Sequence, residues 1–111
     1  MFQSQGGGGS LDDLSRAAGA ADRNGLTVAG RALQKHGDRA GSAFPRVTGN
    51  AANRNAAGQS IVDDILTNPG STFTPRATGR HGQFVDVVAP DGRGLRFGSD
   101  NRLIGFLEPP P

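Results

Sequence analysis

Apolar positions recur along this chain at two periods, helical over the first two thirds and alternating over the last third. Leu11, Leu14 and Ala18 share one helical face. Ser10 stands before them as a cap, and Asp12 and Asp13 lie at the positive end of the dipole. Asn24-Gly25 is a strong turn pair. Leu26, Ala29, Gly30 and Leu33 give a second helix, about 26–36, a narrow face of small residues suited to close packing, with Gly37 as its expected stop. Residues 37–57, rich in Gly, Asn, Arg and Ala, read as a long loop anchored at Phe44-Pro45. A third helix, about 57–67, carries Ile61, Val62, Ile65 and Leu66 on one stripe and turns Asp63 and Asp64 outward. Asn68-Pro69-Gly70 ends it.

From Ser71 the period becomes that of strands. Thr72-Phe73-Thr74, Phe84 to Val88, Leu95 to Phe97 and Leu103 to Leu107 are four runs, joined in part by the tight connections Pro90-Asp91-Gly92 and Ser99-Asp100-Asn101. Helices first and strands afterwards predict an α+β fold, with N-terminal helices packed on one face of a four-stranded antiparallel sheet and the other face free to carry a site. Gly6 to Gly9 with Ser10 has the composition of a flexible linker. Residues 1–24 therefore read as a tether with one weak helix, and residues 25–111 as the working domain.

Composition narrows the chemistry. The 111 residues include no Cys, which removes thiol nucleophiles, disulfides and thiolate zinc sites. Two His without ligand spacing argue for no metal, and no cofactor motif is present. No apolar run nears the ~20 residues a membrane span needs, so no membrane partner is expected. The net charge is only +2, but of twelve cations only Lys35 is not Arg. Arg binds phosphate through paired N–H donors and stays charged, which suits a nucleic-acid partner.

Two His with surplus Arg are a minimum set for metal-free RNA cleavage. The 2′-hydroxyl needs a base, the 5′-leaving oxygen an acid, and the phosphorane nearby cations. His36 ends the second helix, where an imidazole is placed for proton exchange near neutral pH. His81 lies just before the strongest strand. The catalytic candidates are His36, Arg39, Arg80 and His81, and the substrate-binding candidates are Lys35, Ser42, Arg76, Arg93 and Arg96. The turn Asp91 to Arg96 brings two cations beside a tight bend able to grip a phosphate. The competing reading is a non-catalytic nucleic-acid-binding module. With no Tyr or Trp, stacking-based recognition of single strands would fall to Phe or Arg.

Leu26 to Gly37, Arg39 to Ser42, Phe44-Pro45, Gly49-Asn50, Asn55, Gly58-Gln59, Asp63 to Ser71, Asp86-Val87, Pro90 to Gly94 and Gly105 to Pro109 together resemble the C-terminal toxin domains of bacterial polymorphic toxins, of the Rhs-repeat and contact-dependent inhibition types. The resemblance covers about residues 25–109. It implies the barnase/EndoU/colicin/RelE-like group of ribonucleases, and hence a ribonuclease toxin domain over 25–111. It further implies cleavage of RNA, with tRNA the expected substrate, in the cytoplasm of a competitor bacterium. The domain would be secreted as the C-terminal part of a larger effector and blocked by a cognate immunity protein. His36, Arg39 and Ser42 lie in the matched first segment, and Arg93 and Arg96 in the matched last turn. Arg80 and His81 lie in neither, so their roles stand on chemistry alone.

Overall fold

The computed structural model describes residues 10–79 and 82–110. Three helices, α1 (Leu11–Ala18), α2 (Val28–Gly37) and α3 (Ala51–Thr67), precede four strands, β1 (Thr72–Thr78), β2 (Gly82–Val88), β3 (Gly94–Gly98) and β4 (Leu103–Leu107). The strands form one antiparallel sheet in the order β1-β2-β3-β4. The helices pack on one side of it, which gives the expected α+β meander.

Ser10 caps α1 reciprocally: its Oγ accepts the Asp13 N–H at 3.1 Å, and the Asp13 carboxylate accepts the Ser10 N–H at 3.3 Å. Leu14 and Ala18 then enter the common core. The helix assigned above to a tether is thus a packed element against α3 and β4. Its apolar signal is short because only these two positions are fully covered. The Gly6 to Gly9 linker lies outside the described residues. Asn24 and Gly25 both take positive φ, 58° and 76°, and the Leu26 N–H closes the turn onto the Arg23 carbonyl at 3.0 Å.

Thr27 caps α2 by accepting the Gly30 N–H at 3.0 Å. Gly37 is the last residue of α2 and has no positive φ. Its missing Cβ instead makes room for the Pro45 carbonyl oxygen, which the chain brings against the helix end. α3 begins at Ala51, not near Ala57, after Asn50 accepts the Asn53 N–H at 3.0 Å. Residues 51–57 are helix-favouring but carry no apolar stripe, so periodicity alone misses them. The loop shrinks to residues 38–50, and Phe44 pins it to the core as expected. Asn55, in the added turns, accepts the Thr27 N–H at 2.8 Å and donates to the Gly25 carbonyl at 2.9 Å, tying α3 to the start of α2. Asp64 faces out as predicted, whereas Asp63 is half-buried and accepts the Ser15 hydroxyl at 2.6 Å.

The small-residue face of α2 meets α3 almost backbone to backbone. A Cβ on Gly58 would lie 2.5 Å from the Ala29 oxygen and 2.7 Å from the Ala29 carbonyl carbon. Neither atom can move without shifting α2. Gly58→Ala is therefore expected to lower stability by ~1–3 kcal/mol, read as a lower urea midpoint with an unchanged slope. A midpoint equal to the parent's would show that the helices part freely.

Val87, Leu95, Phe97, Leu103 and Phe106 fill the covered side of the sheet against Leu33, Ile61, Val62, Ile65 and Leu66. By alternation the other side carries Arg76 opposite Phe84 and Asp86 opposite Arg96. β4 is an edge strand, and α2 packs along it. Arg96 faces Gly105 across the β3–β4 ladder, so no side chain stands between this arginine and the edge.

Candidate active site

The α2–β4 contact leaves a cavity of about 290 Å³. Arg31, Lys35 and His36 line it from α2, Arg39 from the loop that follows, Arg96 from β3, and Ile104 to Leu107 from β4. Asp22 is the one acid in its wall among the described residues. Asp22 pairs with Arg31 at 3.4 Å, while Lys35 and Arg39 have no carboxylate partner among the described residues. The cavity therefore presents unneutralised positive charge beside an imidazole.

His36 is held on several sides. Its side chain is 12% exposed, its ring meets Phe44 edge-on at 5.5 Å, and Phe106 lies 6.1 Å away. Phe44 and Phe106 stack on each other at 4.8 Å. Nδ1 lies 2.8 Å from a carboxylate oxygen of Glu108, just past β4. That same oxygen accepts the Ser42 hydroxyl at 2.6 Å, and the other accepts the Ala43 N–H at 2.9 Å. Burial pushes the Glu108 carboxyl up, but the donors from Ser42, Ala43 and His36 together hold it below the ordinary carboxylate range. The Ser42 hydroxyl also accepts the Phe44 N–H at 3.0 Å, so it serves the loop and Glu108.

Arg96 is fixed from the open face of the sheet. Its Nε donates to one Asp86 oxygen at 2.7 Å and its terminal N–H to the other at 2.9 Å. The guanidinium carbon sits 4.4 Å from the Phe84 ring centroid. Asp86 is 4% exposed and accepts a further bond from Arg76 Nε at 2.9 Å. The Arg96 hydrogen bond, against the opposing effect of burial and with added attraction from both guanidiniums, keeps the Asp86 carboxyl below its ordinary range.

The structure thus brings together four sequence candidates, Lys35, His36, Arg39 and Arg96, in one cavity. Ser42 joins them through Glu108, and Arg76 through Asp86. Arg93 does not join. It pairs with Asp91 at 2.7 Å within the β2–β3 connection, so that turn does not combine it with Arg96. Arg80 and His81 lie outside the described residues. Glu108, Asp86, Phe84 and Arg31 escaped the sequence reading. Two left a trace: Glu108 is the chain's single Glu, and Asp86 interrupts the strongest predicted strand.

A confined imidazole in a cationic cavity, with two carboxylates turned to holding cationic groups and the ring, is a set suited to proton transfer beside a phosphate in a small α+β domain. A family model described as the CdiA C-terminal tRNase toxin domain matches residues 15–108. A similar solved structure is the toxic C-terminal tip of CdiA from Pseudomonas aeruginosa in complex with an immune protein. It is 31% identical, with a TM-score of 0.70, and the match covers 83% of this chain and 98% of that one. No curated protein matches the chain. The chain belongs to the CdiA C-terminal tRNase toxin domains, and with them to the tRNA-cleaving toxins of contact-dependent inhibition. Among the described residues no helix is long and apolar enough to cross a membrane.

Proposed function

We propose that this domain cleaves tRNA without a metal ion. The 2′-hydroxyl attacks the adjacent phosphate, the bond to the 5′-oxygen breaks, and the products carry a 2′,3′-cyclic phosphate and a 5′-hydroxyl. His36 moves a proton at the reacting oxygens. Lys35, Arg39 and Arg96 hold the phosphate and offset the charge that grows on it. A second group opposite it, His81 or an Arg, handles the other proton transfer. The observation that carries this reading is the shared cavity of His36 with Lys35, Arg39 and Arg96. Arg76 extends the cationic surface across the open sheet face through Asp86.

The domain acts in the cytoplasm of the target bacterium, after delivery as the C-terminal part of a larger effector, and a cognate immunity protein blocks it. The immune protein bound to the similar CdiA tip supports that partner. Purified domain incubated with total bacterial tRNA in EDTA should yield discrete fragments whose 3′ ends are cyclic phosphates. Salt-sensitive binding with intact tRNA would instead favour a non-catalytic module. Cleavage that requires added magnesium would overturn the metal-free step.

A further inference from the structure

We propose that Glu108 is a positioning residue that fixes the neutral His36 ring with its lone pair on Nε2, the form in which it acts as the base of this reaction. The inference rests on the reading of His36 just given and assigns the ring a direction that reading leaves open. It starts from hydrogen-bond logic. The Glu108 carboxylate meets three groups: the Ala43 N–H, the Ser42 hydroxyl and His36 Nδ1. These hold it ionised, consistent with its lowered pKa. An ionised carboxylate only accepts. Nδ1 must therefore carry a hydrogen, and in the neutral ring the lone pair falls on Nε2. Among the described residues that nitrogen has no hydrogen-bond partner, and no side-chain nitrogen is both sealed from solvent and unpartnered. Nε2 is thus open to solvent on a ring that lines the cationic cavity.

The surroundings favour one ring orientation. Phe44 and Phe106 flank the imidazole, and turning it over would place a carbon against the Glu108 oxygen. The charged groups sharing the cavity are Arg31, Lys35 and Arg39 from the α2 side, Arg96 from β3, and Asp22. Four of these are cations. Glu108 supplies the compensating negative charge from behind. In the step itself Nε2 takes the proton of the 2′-hydroxyl as that oxygen bonds to phosphorus. The 5′-oxygen leaves with its electron pair and takes a proton from water or a second acid. The His36 ring becomes a cation between the phosphate and Glu108.

Tail anchoring alone would not need the His36 bond, because Ser42 and Ala43 already hold the carboxylate to the loop. The test uses the whole domain labelled with ¹⁵N-histidine, studied as the parent and as Glu108→Gln, which keeps the size of the side chain and an oxygen for Ala43. In the parent, the neutral His36 ring should be the Nδ1–H tautomer. In Glu108→Gln both tautomers should appear, and kcat should fall at least ~10-fold with KM within about twofold. A parent ring protonated on Nε2 would overturn the inference whether or not the variant folds. So would a variant whose kcat stays within about twofold of the parent, or one that loses rate with its tautomer unchanged. Full activity in His36→Ala would mark a different failure, that of the His36 reading itself, and leaves the tautomer result legible.

Discussion

His36→Ala is expected to lower the cleavage rate of tRNA by ~10²–10⁴, the usual contribution of a positioned proton-transfer group. The loss should fall on kcat, because the cavity keeps Lys35, Arg39 and Arg96 as phosphate-binding cations. KM should change little, since uniform binding is left intact. The substitution also empties space beside Phe44 and Phe106, so some stability is lost as well. Single-turnover rates taken well below the variant's unfolding midpoint separate the two effects. Bound tRNA cut at the parental rate would remove His36 from the chemistry. A rise in KM with unchanged kcat would recast it as a binding group.

The fold was legible wherever burial follows a period. The stripe of Ile61, Val62, Ile65 and Leu66 and the alternation of Leu95, Arg96 and Phe97 in β3 are both read straight from residue order, and the core uses them as read, whereas a register shift in β4 turns Leu103 and Phe106, three apart, to the core. The first turns of α3 were hidden because their cohesion comes from Asn50 and Asn55, polar side chains whose partners are backbone groups. No hydropathy pattern records such bonds. The small face around Gly30 was visible, but its counterpart Gly58 was not. Only the docking of the two helices shows that Ala29 and Gly58 approach as backbones.

For the candidate site, residue type was the useful signal. Titratable and cationic side chains near helix ends and strand starts were found because few residue types perform proton transfer or hold phosphate. What escaped was their support. Glu108 is separated from His36 by most of the chain, and nothing local in Leu107-Glu108-Pro109 announces that contact. Asp86 stood in plain view as a carboxylate inside an apolar strand. Its meaning depends on register, which places Arg96 directly across from it and Arg76 within reach on the neighbouring strand.

Arg96→Ala is expected to lower kcat by ~10²–10³, the range for removing one preorganised donor to a developing oxyanion. Two of its N–H donors are spent on Asp86, which leaves the remainder of the guanidinium for a phosphate in the cavity. The Phe84 ring beneath it and the two-point grip of Asp86 fix its plane. It therefore needs little rearrangement when the phosphate gains charge on the way to the phosphorane. Arg96→Lys should not restore the rate, because an ammonium cannot keep the paired grip on Asp86 and still present donors in that plane. Folding should survive in both variants, since Arg76 remains 2.9 Å from Asp86 and keeps the buried carboxylate paired. The measurement is kcat at saturating tRNA beside a urea midpoint. A folded Arg96→Ala domain with kcat within about threefold of the parent would place the charge-stabilising work on Lys35 and Arg39, the cavity cations that no carboxylate among the described residues neutralises.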